Sequence, residues 1–281
     1  MEAIALSLCA AACWGLADFF AGLKSRGLSV LTVLLWVEGT GLIVVLSIIA
    51  VSGEPLPDSR TLLYSAIAGA AGVSALGAFY LALSIGTMSI VAPISSTGVI
   101  LPVIVGLASG DTLKVVVAVG LVVTGCGVLL ASREEVAELE HGGPNRKAIM
   151  LALVTALGFG LYFTFADVAA DGSVLWLLAM GRLVALPWIF ALARRGGRQV
   201  VPPARDRAQL LGIGAADLGA TALYGAATTR GALSIVVVIG SLYPVVTVLL
   251  ARGILKERIG RAQAAGVILA FAGVALVSAG G

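Results

Sequence analysis

Long apolar runs follow one another along almost the whole chain, separated by short polar stretches. They fall at about 3–23, 28–51, 61–85, 88–109, 112–131, 147–169, 173–193, 207–229, 232–252 and 261–279. Each holds about 20 residues, enough for a helix to cross about 30 Å of hydrocarbon. Most connections are very short, so successive helices are expected to be antiparallel neighbours. Two connections are longer. Residues 132–145 carry Arg133, Glu134, Glu135, Glu138, Glu140 and His141, then Gly142-Gly-Pro144, and read as a solvated linker. Residues 194–206 are basic and contain Pro202-Pro203, which suits an extended surface loop.

The pattern repeats at half the chain length. Residues 210–257 echo residues 66–111, and Ser89-Ile-Val91 recurs as Ser234-Ile-Val236, about 145 residues later. Trp14-Gly15 in the first span matches Phe159-Gly160 in the sixth. Gly120 and Gly127 in the fifth match Gly266 and Gly273 in the tenth. Five spans per half is an odd number, so the second half must cross the membrane in the opposite sense. The expected fold is an all-α integral membrane protein of ten transmembrane helices, arranged as two inverted five-helix repeats. The repeats are expected at 1–131 and 147–281, joined by a polar linker at 132–146.

Composition sharpens this. Of 281 residues, 59% are hydrophobic and 12% charged, against about 25% charged in soluble domains. Mean hydropathy is +1.08. A soluble protein of this length could not hide so much apolar surface, so the expected location is the cell membrane, as a multi-pass protein. The net charge of +3 is no nucleic-acid signal, because the basic residues sit in loops beside the spans. One side collects clusters such as Arg194, Arg195, Arg198, Arg205 and Arg207, while the other has only Arg60, Lys114 and Arg230. The positive-inside rule then puts both termini outside. The first span lacks a basic leader region and a cleavage site, and reads as a retained helix. Cys9, Cys13 and Cys126 lie in apolar spans and read as small fillers.

Four ionisable residues fall deep within spans: Asp18, Glu38, Arg182 and Asp217. Each costs about 2.5–3.5 kcal/mol on insertion scales and needs a partner or water. Arg182 with Asp217 could be a structural pair. Alternatively, Arg182 could bind an anionic substrate group, with Asp18, Glu38 or Asp217 exchanging protons. Asp217, Thr221, Tyr224 and Thr228 step by three and four along the eighth span and form one polar stripe. Trp14 and Asp18 share a face of the first span, one turn apart. Pro93 and Pro102 interrupt the fourth span and Pro244 the ninth, beside Ser95, Ser96, Gly240, Ser241 and Tyr243. Interrupted spans in both halves point to a midplane binding site. Tyr80 and Tyr162 complete the candidate substrate contacts. The fifth and tenth spans read as scaffold or a dimer contact, and Asp111 and Glu257 as carboxylates stabilising helix N-termini.

Taken together, Ala12-Cys-Trp14-Gly15, the Pro-containing fourth and ninth spans, Gly110-Asp111 and Lys256-Glu257 with their following Gly-rich helices resemble the drug/metabolite transporter superfamily, in its EamA-type ten-helix branch. The resemblance covers the whole chain. It implies secondary transport of small metabolites, often export of amino acids or related compounds; some relatives import sugars or exchange phosphorylated ones. Asp111 stands where such proteins more often carry Glu, and Glu38 is matched across the repeat by Arg182. The expected function is alternating-access transport of a small metabolite, an amino acid or related compound, outward. A multidrug or organic-cation exporter, a sugar-type importer and a non-coupled channel are the alternatives. The expected partners are a small-molecule substrate, the bilayer and protons, with no nucleic acid. The only His lies in a loop, and neither metal-ligand spacing nor a phosphate-binding loop occurs, so no enzyme activity, metal or cofactor is expected.

Overall fold

A computed structural model describes residues 1–110, 114–131, 146–256 and 261–280. The 132–145 connection, with His141, and the carboxylates Asp111 and Glu257 lie outside the described residues. The first half contains α1 (Glu2–Ser25), α2 (Val30–Ser52), α3 (Ser59–Ile85), α4 (Met88–Ser96), α5 (Ile100–Ala108) and α6 (Val115–Ala131). The second contains α7 (Arg146–Ala170), α8 (Val174–Arg195), α9 (Ala204–Thr228), α10 (Leu233–Gly240), α11 (Tyr243–Leu255) and α12 (Arg261–Gly280). Among the described residues, seven helices are long and apolar enough to cross a bilayer, counting Leu233–Leu255 as one. The fourth span is α4 and α5, and the ninth is α10 and α11, giving about ten membrane helices.

Both interrupted spans break where proline chemistry allows. A single 3-10 turn, Thr97–Val99, separates α4 from α5, and Pro102 falls in the first turn of α5. Pro244 sits in the first turn of α11. Proline is tolerated there because its missing N–H would have had no helical acceptor. Pro93 lies within α4 itself.

Packing repeats itself between the halves. α3 packs along α7, as its counterpart α9 packs along α1. α3 meets α8 as α9 meets α2, and α4 meets α11 as α10 meets α5. α2 packs on its own counterpart α8, and α6 on α12. The duplication extends to single backbone contacts. A Cβ on Gly15 would stand 2.6 Å from the Tyr243 carbonyl oxygen, and one on Gly160 would stand 2.7 Å from that of Gly98. Both pairs are related by the same 145-residue offset, so each repeat uses its glycine to seat the other repeat's broken span.

The inversion is visible at two tryptophans. Trp36, near the start of α2, donates its indole N–H to the Val200 carbonyl in the connection after α8, at 3.0 Å. Trp176, near the start of α8, donates to the Pro55 carbonyl in the connection after α2, at 2.8 Å. The start of each helix therefore lies beside the end of the other. α2 and α8 run antiparallel, as an inverted repeat requires. The connection after α8 is also tied down by Thr32, which donates to the Gln199 carbonyl, and the first turn of α9 just beyond it is held by the Lys24–Asp206 ion pair at 2.6 Å.

Phe19, Phe79, Tyr80, Leu83 and Met88 are wholly buried at the centre. Outward, Ile43, Val51, Leu63, Val122, Leu157 and Ile268 each expose more than half of their surface. Such a belt would be unfavourable in water by about 25 cal/mol per Å² of apolar surface, and lipid covers it. The small residues of the fifth and tenth spans are used within the chain: Gly273 packs against Thr124 and the Gly120 carbonyl.

Candidate functional site

The central cavity takes its walls from both halves: Trp14 and Asp18 on α1, Glu38 on α2, Gly69 to Leu76 on α3, Phe159 to Phe163 on α7, Leu177 to Ala185 on α8, Asp217 and Thr221 on α9, and Tyr243 on α11. Its volume is about 90 Å³, room for several water-sized groups. The third span supplies one wall because α3 and α8 cross at glycines. A Cβ on Gly69 would stand 2.8 Å from the Gly181 carbonyl carbon and oxygen. Gly72 in turn faces the Tyr162 ring, with 2.9 Å between a Cβ there and Cδ2.

All four intramembrane charges reach this cavity, and each is at most 7% exposed. Arg182 is held between two carboxylates. Its Nη2 donates to Asp217 Oδ2 at 2.9 Å, and its Nε stands 3.3 Å from Glu38 Oε2. Its Nη1 donates to the Leu178 carbonyl one turn earlier, at 3.1 Å. Gly41, one turn beyond Glu38, leaves the space that the guanidinium occupies. Desolvating a guanidinium is costly, and the two carboxylates offset that cost only if geometry holds them close. The cluster fastens α2, α8 and α9 together. Asp18 lies in the same cavity without an ion-pair partner among the described residues.

Aromatic side chains form much of the remaining lining. The Trp14 ring lies 5.8 Å from Phe163 and 5.5 Å from Tyr224. Tyr243 meets Phe79 and Phe159 edge-on, at 6.0 and 6.5 Å. The hydroxyls of Tyr80, Tyr224 and Tyr243 are buried without a hydrogen-bond partner among the described residues.

The candidate residues divide into two layers. Trp14, Asp18, Glu38, Tyr162, Arg182, Asp217, Thr221 and Tyr243 line the cavity. Tyr80 and Tyr224 are wholly buried behind it, Tyr224 with its ring on Trp14 and Phe163. The polar stripe of α9 splits accordingly. Thr221 and Thr228 bond back to their own helix, at the Asp217 and Gly225 carbonyls, while Asp217 pairs with Arg182 on α8 and Tyr224 packs its ring on α1 and α7. Ser95 and Ser96 are buried near the α4–α5 break and do not line the cavity. That break rests on α7, where Gly98 packs against the Ala156 backbone. The sequence placed the fourth span at the site, and on the third it singled out Tyr80 but not Gly69, Gly72, Val73 or Leu76, which line the wall. The third lacks polar residues at the wall, and its only signal is the glycine pair Gly69 and Gly72.

The comparisons with known proteins agree with this architecture. A solved crystal structure superposes with a TM-score of 0.73 over 99% of this chain and 96% of its own, at 15% identity. At that identity the likeness speaks for the fold alone. No curated protein matches the chain. The model of the EamA-like transporter family matches twice, over residues 1–133 and 146–279. Two copies of one five-span unit in a single chain agree with the inverted packing of α2 and α8. As a transporter family, it assigns the chain a small-molecule substrate and a membrane setting rather than an enzyme's role. The chain, matched by that model over almost its whole length, belongs to the EamA-like transporter family.

Proposed function

We propose that the chain is a secondary transporter that carries a small metabolite, an amino acid or related compound, outward across the cell membrane. Repeats at 1–131 and 147–281, joined at 132–146, would rock against each other and open the cavity to either side in turn. The observation that carries this reading is the shared cavity itself. Both halves wall it, and it holds charged groups that lipid would not tolerate without a role or a partner. Trp14, Tyr162, Thr221 and Tyr243 supply contact surface, and the Glu38–Arg182–Asp217 cluster supplies a polar floor. Tyr80, Tyr224, Ser95 and Ser96 act from behind it. Asp18, Glu38 and Asp217 are the candidates for proton exchange. The Lys and Arg bias favours both termini outside.

Counterflow in proteoliposomes tests the proposal. Vesicles preloaded with unlabelled amino acids, amines, sugars or organic acids receive a labelled trace of the same compound. A carrier gives saturable uptake accelerated by the internal load. Flux that stays linear with concentration for every compound would contradict alternating access and favour a channel.

A further inference from the structure

Charge around the cavity does not balance. Glu38 and Asp217 both engage Arg182, so the one guanidinium is already outnumbered. Asp18 adds a third carboxylate, 4% exposed, with no cation beside it among the described residues. The repeat does not explain this carboxylate, because the position matching Asp18 at the 145-residue offset is Phe163. A second observation points the same way. Tyr243, 3% exposed, lines the same cavity, and its buried hydroxyl lacks a hydrogen-bond partner among the described residues.

The surroundings of Asp18 fit one kind of ligand group. Trp14 precedes it by one helical turn on the same face, and both line the cavity. Phe159 and Phe163 face them from α7. An ammonium group is attracted to the face of an aromatic ring, most strongly to Trp, and gains further from a desolvated carboxylate. A free carboxylate on the ligand would find the guanidinium of Arg182, the one arginine among the described lining residues, already held by two acids. We propose that Asp18, flanked by Trp14 and Tyr243, is the subsite for the ammonium group of a small organic amine with an aromatic or apolar body. This rests on the transporter reading above and, within it, favours an amine related to an amino acid over the amino acid itself.

The test uses three probes with one phenyl ring and different charges: phenethylamine, phenylalanine and 3-phenylpropionate. Calorimetric titration of the purified full chain should rank affinity in that order, with phenylpropionate at least tenfold weaker than the amine. Asp18→Asn should weaken phenethylamine binding at least tenfold, while Asp18→Glu, which keeps the charge, should stay within a few-fold of the parent. Melting of each variant without ligand separates loss of binding from loss of fold. Tighter binding of phenylalanine or phenylpropionate, unchanged amine binding by a folded Asp18→Asn protein, or no amine binding by the parent would each overturn the assignment. None of these touches the transporter reading, which fails only if counterflow fails across all compound classes.

Discussion

Gly41 lies against the guanidinium of Arg182: a Cβ at position 41 would stand 3.1 Å from Cζ and collide with Nε. Arginine side chains usually swing aside cheaply, but this one is buried and held by Glu38 and Asp217. Gly41→Ala therefore has to displace the ion cluster or separate α2 from α8. The expected cost is about 1–3 kcal/mol, as for overpacking elsewhere, read as a lower melting temperature in detergent. Transport should fall with it. A Gly41→Ala protein that melts with the parent would show that the guanidinium has room to move.

Removing Arg182 should be worse than removing the whole cluster. Arg182→Ala leaves Glu38 and Asp217 buried without their cation, and breaking a buried pair costs about 3–5 kcal/mol. The triple variant Arg182→Met, Glu38→Gln, Asp217→Asn removes every charge of the cluster and should regain most of that stability. It should not regain transport. Recovery of both would reduce the cluster to a dispensable fastening, and recovery of neither would mean that the charges are needed for folding itself.

The four intramembrane charges are legible in the sequence because Asp, Glu and Arg are rare inside apolar runs and costly there. The duplication is legible too, in Trp14-Gly15 against Phe159-Gly160 and in the recurring Ser-Ile-Val. The Arg182–Asp217 pair is named from the sequence and found in the structure, but the sequence leaves open that Glu38 joins it. Glu38 and Arg182 fall within one residue of matched positions, yet only the antiparallel contact of α2 with α8 turns that nearness into an ion pair. The α3 wall is harder still to read. Gly69 and Gly72 carry no side chain, and their role appears only once Gly181 and Tyr162 stand opposite them. In the broken fourth span the prolines and serines suggest a ligand, whereas what the structure adds is that the break packs on α7.

The crossing of α3 and α8 gives an asymmetric prediction. At Gly69 a Cβ would meet the backbone of Gly181, which cannot rotate away, whereas at Gly181 a Cβ would stand 3.2 Å from Gly69 Cα. Gly69→Ala should lower the melting temperature more than Gly181→Ala and should also perturb ligand binding, because both helices wall the cavity. Equal effects at the two positions would contradict this geometry.

Outside the membrane, Asp58 caps α3 by accepting the Thr61 backbone N–H at 2.9 Å. Hydrogen bonds from Thr61 hold its carboxyl below the usual carboxylate range. A folded-state pKa below the unfolded value adds stability that is present above about pH 4 and is lost as pH falls through the folded value. Asp58→Ala should melt earlier than the parent at neutral pH, with the gap narrowing as the pH drops below about 4. A gap that stays constant into acid would remove the cap's charge from the account.

The central claim, a cavity open to each side in turn, can be tested without knowing the substrate. Cys9, Cys13 and Cys126 are replaced by Ser, and Thr221, which lines the cavity, becomes the single cysteine by Thr221→Cys. A membrane-impermeant thiol reagent is then applied to right-side-out and to inside-out vesicles. The account predicts modification at position 221 in both preparations, with no passage of reagent to the far side. Modification from one side only, or free passage of the reagent, would contradict it.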